Sequence, residues 1–139
     1  NEIIVIGGGL AGTDAALQIA KREINVKLYE MKPNKFSDAH SNENLAEIVC
    51  SNSFKSNLLT NACGLLKEEI KEMGSILMES ALINSVPGGN ALTVDRDNFA
   101  NYIRESFNEA CKRAPSIILL DDMDKFSNED SNKCDSEEM

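Results

Sequence analysis

The sequence predicts an α/β fold in which a parallel sheet is covered by helices, and three observations predict it. A run of branched apolar residues, Ile3-Ile4-Val5-Ile6, meets a glycine cluster and then an Ala-rich segment with helical spacing. A second strand-like stretch, Val26-Lys27-Leu28-Tyr29-Glu30, closes a βαβ unit of about the usual ~30 residues. Ser116-Ile117-Ile118-Leu119-Leu120 is apolar without alternation, as a parallel strand with both faces covered requires.

Residues 2–6 read as a buried first strand. The glycines that follow, Gly7, Gly9 and Gly12, fit G-x-G-x-x-G, the fingerprint of a dinucleotide-binding βαβ unit. Each has a physical task. Gly7 allows the tight strand-to-helix turn, Gly9 lets the backbone approach a pyrophosphate, and Gly12 lets the helix pack closely on the strand. The whole turn, Gly7-Gly8-Gly9-Leu10-Ala11-Gly12, is the candidate cofactor-binding segment. A pyrophosphate would sit on the free N–H groups and positive dipole end of the helix that starts near Leu10. That helix spans 10–22, with Leu10, Ala11, Ala15, Ala16, Ile19 and Ala20 on one face and Lys21-Arg22 at its C-terminal end. Glu30 lies 18 residues after Gly12, where an acidic side chain accepts hydrogen bonds from an adenosine ribose. An acid there disfavours a 2′-phosphate, so FAD or NAD fits this chemistry better than NADP.

Residues 31–44 are polar, carry Pro33 and three asparagines, and read as a loop, with His40 a surface residue inside it. Cys50 then ends a short apolar segment and is flanked by Ser51 and Asn52. Its residue type allows a nucleophile, but a buried structural thiol is the ordinary fate of such a cysteine. Residues 61–74 and 76–86 read as helices whose apolar faces, including Leu65, Leu66, Ile70 and Met73, are core. Pro87-Gly88-Gly89-Asn90 is a turn and 91–94 a strand. Asp95 or Asp97 caps the next helix, which carries Phe99, Tyr102, Ile103, Phe107, Ala110 and Cys111 at helical spacing and ends at Pro115.

The 139 residues suffice for one domain with a real core. Of the formal charge of −9, eight acids and two lysines between 121 and 139 carry −6, leaving −3 on residues 1–120. An acidic chain lacks the charge that generic nucleic-acid binding rests on. The acidic stretch 121–139 has scant apolar content and reads as a disordered tail behind a domain at 1–120. Four scattered cysteines and one histidine argue against a metal site and a disulfide framework, and for reduced thiols in a cytoplasmic protein. No apolar run reaches the ~20 residues of a membrane span. Residue 1 is Asn rather than Met, which reads as a start inside a longer frame.

With these residues laid out, the chain resembles the N-terminal part of the folate- and flavin-dependent tRNA uracil-5-methyltransferases, the TrmFO family, over about residues 3–120. The carriers are Val5 to Gly12, Leu28-Tyr29-Glu30-Met31-Lys32-Pro33, Ala46-Glu47-Ile48-Val49-Cys50-Ser51-Asn52-Ser53, Leu59 to Glu69 and Val94-Asp95-Arg96. The first block is shared by many flavoproteins, including the related GidA family; the later blocks are far more specific. The resemblance implies an incomplete three-layer FAD/NAD(P)-binding Rossmann-type domain. It implies FAD on the glycine turn, methylenetetrahydrofolate as one-carbon donor and NAD(P)H as reductant. The implied product is 5-methyluridine in the T-loop of tRNA, or in ribosomal RNA for one branch. Cys50 matches the family cysteine of V-C-S-N-S, which implies a residue of covalent catalysis, the step it serves staying open. The family usually has an apolar residue where Cys63 stands, so Cys63 reads as a small core residue. The turn 86–90 departs slightly from the family pattern, and 121–139 does not resemble the family's long continuation. Two other classes remain on the residues alone: a different FAD- or NAD-dependent oxidoreductase sharing only the βαβ unit, and a non-catalytic truncated remnant. Oligomeric state has no signature in the sequence.

Overall fold

The computed structural model describes residues 2–113 and the backbone of 117–120. Ten elements follow one another: β1 (Glu2–Ile6), α1 (Leu10–Lys21), β2 (Asn25–Tyr29), β3 (Ser53–Ser56), α2 (Ala62–Glu72), α3 (Ile76–Ile83), β4 (Ser85–Val86), β5 (Ala91–Val94), α4 (Arg96–Lys112) and β6 (Ile117–Leu120). They build an α/β fold with two sheets. The first is parallel, in the order β1-β2-β6, with Ile3 opposite Val26 and Val26 opposite Ile117. The second is antiparallel, in the order β3-β5-β4, and nothing in the local sequence pattern announced it.

The core lies where α1, α3 and α4 meet one another and the strands. Its largest fully buried side chains are Phe99, Phe107, Ile103, Leu28 and Val26. Phe54 of β3 packs against Phe99 with ring centroids 5.6 Å apart, which joins the second sheet to α4. Asp14 of α1 accepts from the Ser75 hydroxyl at 2.8 Å, and Ser75 in turn caps α3 by accepting from Met78 N at 3.2 Å. Asp95 is the N-cap of α4, accepting from Asn98 N at 2.9 Å; of the two candidate caps it is the one the fold uses.

Several sequence expectations need correction. β1 is not a buried strand. Val5 packs against the core, but Ile4 and Ile6, on the opposite face, are exposed, Ile6 at 74%. Among the described residues β1 has a neighbouring strand on one side only, so an apolar run sits at a sheet edge. In α1 the buried residues are Thr13, Ala16, Leu17 and Ala20, while Ala11 and Ala15 face outward. In α2 the apolar stripe is largely outside: Leu65, Leu66 and Met73 are exposed, and Gly64 and Lys67 are buried instead. Cys63 is an exposed free thiol rather than core. Cys50 is likewise a free thiol. The expected helix stop at Pro115 and the tail 121–139 lie outside the described residues.

Candidate functional site: a glycine turn sealed by a polar loop

The turn between β1 and α1 is where the sequence-predicted residues converge. Gly7 adopts φ +96°, a left-handed conformation open to glycine and costly for other residues, and its N–H donates to Tyr29 O at 2.8 Å. The chain thus leaves β1 already tied to the tip of β2. Gly9 is the N-cap of α1, with no side chain to satisfy the first turn and no acidic residue within that turn. Leu10 and Ala11 open the helix. A Cβ at Gly12 would press into the Gly7 carbonyl, so this glycine is required by close helix–turn packing, as the fingerprint demands.

Gly8 and Gly9 differ in an informative way. A Cβ on Gly8 would collide with the Leu45 side chain and the Glu30 carboxylate. A Cβ on Gly9 would meet nothing within 4 Å, and Gly9 has an ordinary φ of −71°. The protein's own packing therefore gives no reason for glycine at position 9. An open cradle beside a helix N-terminus that a side chain would fill is the geometry that suits a pyrophosphate group, so the residues present fit a dinucleotide.

Glu30 follows β2 directly and is 8% exposed. One carboxylate oxygen accepts the Gly8 N–H and the other accepts Lys32 N at 3.1 Å. The structure thus brings Glu30 and the glycine turn into direct contact, which sequence spacing alone placed only on neighbouring strand ends. Thr13 adds a further lock, its hydroxyl donating to Gly8 O at 2.9 Å.

Loop residues that sequence reading did not assign to the site complete it. Residues 31–52 contain no helix or strand, yet Lys32, Leu45 and Ala46 are buried within that span. Ala46 N donates to Gly8 O at 2.8 Å, so the loop closes onto the middle of the turn. The Lys32 ammonium donates to Asn44 O at 2.5 Å and pairs with Glu47 at 3.5 Å. The other Glu47 oxygen accepts from Ser41 N at 2.9 Å and from the Ser41 hydroxyl at 2.8 Å. Burial by itself would push the Glu47 carboxyl up, but the Ser41 donors and the Lys32 ammonium together outweigh it and hold the group below its ordinary value. The polar composition of 31–44 gave no signal of this; only the tertiary pairing does.

Cys50 is an exposed free thiol, not the buried structural cysteine that its residue type alone suggested. It sits between two anchors: Ala46 on Gly8, and Asn52, whose carbonyl accepts from Val94 N at 2.9 Å and whose amide donates to Val94 O at 3.2 Å. Four residues span at most about 14 Å, so the Cys50 backbone stays within about that distance of Ala46. His40 is apart from this chemistry, its ring nitrogen 2.6 Å from the Ser37 hydroxyl. Among the described residues no group of three or more His, Cys, Asp or Glu is placed to hold a metal, and no helix is long and apolar enough to cross a membrane.

A parallel βαβ unit with this turn, and with an acid at the end of its second strand, defines a Rossmann-type α/β protein of the dinucleotide-binding class. Comparison with known proteins narrows the class. The family model described as glucose inhibited division protein A matches residues 2–124, and the chain belongs to that family. Relatives named methylenetetrahydrofolate--tRNA-(uracil-5-)-methyltransferase TrmFO include those of Caldicellulosiruptor bescii, Ligilactobacillus salivarius and Lactobacillus delbrueckii subsp. bulgaricus. The first is 62% identical over 104 residues, covering 75% of this chain and 24% of the relative. The second is 57% identical over 101 residues (73% and 23%). The third is 48% identical over 121 residues (87% and 27%). The chain therefore spans about a quarter of the length of the curated relatives it matches. Among solved structures, a mutant of MHPCO superposes with a TM-score of 0.43 at 14% identity, over 85% of this chain and 31% of that one, too distant to bear on the site.

Proposed function

We propose that this chain is the flavin-binding and thiol-bearing N-terminal part of a folate-dependent RNA (uracil-5-)-methyltransferase, acting on tRNA. The observation that carries the reading is the 48–62% identity to proteins of that name across most of the chain. The open cradle at Gly9 supports a bound dinucleotide, and the family supports FAD as that dinucleotide. In this reading Gly7 to Gly12 hold the pyrophosphate, and Glu30 turns its remaining lone pairs toward the ribose. Methylenetetrahydrofolate brings the one-carbon unit and NAD(P)H the reducing equivalents. Reduced flavin, when bound, supplies the hydride that completes the methyl group.

The chain's own chemical contribution is Cys50. Carbon C5 of uracil is a poor nucleophile until a thiolate adds at C6 and pushes an electron pair onto C5. The Cys50 sulfur is exposed on a loop tethered at both ends, so an incoming base can reach it. After C5 has taken up the one-carbon unit and lost its proton, the thiolate leaves as the ring double bond reforms. The domain at 1–120 supplies these groups; the basic surface for RNA is assigned to the remainder of the full-length protein, in the cytoplasm.

The test is transfer of labelled methylene carbon from methylenetetrahydrofolate into tRNA by the full-length protein, with Cys50→Ala beside it. Label in tRNA that vanishes in Cys50→Ala while flavin absorbance is retained supports the reading. NADH oxidation at full rate without tRNA would instead identify another flavin oxidoreductase. Label confined to ribosomal RNA would overturn the tRNA assignment.

A further inference from the structure

We propose that Lys32 and Glu47 are a positioning pair for the dinucleotide site, holding the Glu30 carboxylate and the glycine turn in register through the loop 31–52. The proposal rests on the reading of that turn as a dinucleotide cradle. Three observations carry it. First, Lys32 works at both ends: its backbone N–H donates to Glu30 at 3.1 Å and its ammonium meets Glu47 at 3.5 Å, with the two side chains only 2% and 6% exposed. The path from Glu47 through Lys32 and Glu30 to Gly8 N–H is continuous. Second, Glu47 lies next to Ala46, which donates to Gly8 O, so the pair also fixes the other contact on the same glycine. Third, Ala46 adopts φ +53°, a left-handed conformation unfavourable to an alanine, and it is 1% exposed. Such a residue persists only where its surroundings over-determine it; its N–H on Gly8 O and the neighbouring Glu47, held by Lys32 and Ser41, flank it with that constraint.

A loop of this length without regular structure would otherwise be mobile, and Glu30 would have no fixed direction. Breaking the pair by removing one partner leaves a buried charge unmatched, so the loop should open rather than relax in place. Substituting Lys32 should therefore act on the cofactor site without altering Glu30 or any residue of the glycine turn.

The experiment compares Lys32→Met, Glu47→Gln and Lys32→Arg in the full-length protein. It reads FAD affinity by flavin fluorescence, the bound-flavin absorbance spectrum, and hydrogen exchange across residues 41–48. The expected result is a rise in the Kd for FAD of roughly tenfold or more in Lys32→Met and Glu47→Gln, a change of about 1.4 kcal/mol. It comes with faster exchange at 41–48, a shifted flavin spectrum and recovery of affinity in Lys32→Arg. Wild-type exchange at 41–48 in Lys32→Met and Glu47→Gln, or an unchanged Kd with faster exchange, overturns the proposal. Glu47→Gln keeps an acceptor for Ser41, so it remains informative if Lys32→Met fails to fold. A wild-type protein that binds no FAD overturns the cradle reading, while the exchange comparison still decides whether the pair holds the loop.

Discussion

The Glu30 carboxylate accepts the backbone N–H of Gly8, so the tip of β2 and the middle of the glycine turn form one unit before any ligand arrives. This contact gives Glu30 a structural role beside its proposed one as ribose acceptor. Replacing it with alanine strands two backbone donors, Gly8 N–H and Lys32 N–H, in a buried setting. Each buried unsatisfied donor costs about 1–3 kcal/mol. Glu30→Ala should therefore lower thermal stability by several degrees as well as weaken FAD binding, whereas Glu30→Gln, which keeps an acceptor oxygen, should lose less stability. Paired melting curves and flavin titrations check this; an unchanged melting temperature in Glu30→Ala would show that the contact contributes nothing to the fold.

The two outer glycines of the helix entrance separate folding from binding. Alanine is the better helix former by about 1 kcal/mol, yet at Gly12 its Cβ would press on a backbone carbonyl that cannot yield. Overpacking of that kind costs about 1–3 kcal/mol, so Gly12→Ala should be destabilised. Gly9→Ala meets open space and should lose less stability than Gly12→Ala, only the modest amount that separates glycine from alanine at an N-cap. Its flavin affinity, however, should fall sharply, because the methyl group fills the cradle. Equal flavin affinity in Gly9→Ala and wild type would place the pyrophosphate elsewhere.

Cys50 offers a substitution with no structural cost. It is exposed and free, and surface changes of this kind stay within about 0.5 kcal/mol. Cys50→Ser in the full-length protein should melt normally, retain flavin, and lose methyl transfer to RNA. Trapping of a covalent RNA adduct in the wild type but not the variant would locate the sulfur on the base.

Sequence spacing was enough for the glycine turn, α1, β2 and the position of Glu30, because each is set by neighbours within about 30 residues. It failed where distance or a charge intervenes. The second sheet pairs Ser53 with Thr93, forty residues apart, and β3 reads Ser-Phe-Lys-Ser, with no apolar alternation to mark it. The loop 31–44 looked like surface because its composition is polar, and only tertiary pairing shows Lys32 buried. In α2 the apolar spacing pointed Leu65 and Leu66 inward, but the fold buries the face that carries Gly64 and Lys67.

That inversion in α2 is itself testable. The Lys67 ammonium donates to three backbone carbonyls, Phe54 O at 2.8 Å, Ser56 O at 2.5 Å and Cys63 O at 3.0 Å. Two of them flank Lys55, which holds φ +66° at the irregularity in the β3–β5 pairing. Hydrogen bonds to a charged group contribute about 1.5–3 kcal/mol each, so Lys67→Met should destabilise the chain by more than Leu66→Ala, although leucine is the more apolar residue. Denaturant midpoints of the two variants decide it, and a larger loss in Leu66→Ala would return α2 to its conventional orientation.

Acid should reveal the Lys32–Glu47 pair through the pH dependence of stability. Burial raises the Glu47 carboxyl, but the Ser41 donors and the Lys32 ammonium overcome that and hold it below the ordinary 4.5. A carboxyl depressed in the folded state contributes stability that is present above its unfolded value and is lost as pH falls through its folded value. The stabilisation is therefore complete near neutrality, starts to fall as pH drops below about 4.5, the unfolded value, and is gone once pH is below the lowered folded value. Protonation of Glu47 removes the negative charge that the buried Lys32 side chain meets and leaves it only Asn44 O, so the loop over Gly8 should loosen there. Glu47→Gln removes the titrating group and should flatten this part of the stability profile while lowering stability at pH 7. Urea midpoints measured between neutrality and pH 3 for both proteins would show it, and parallel acid profiles would assign the acid response to other carboxylates.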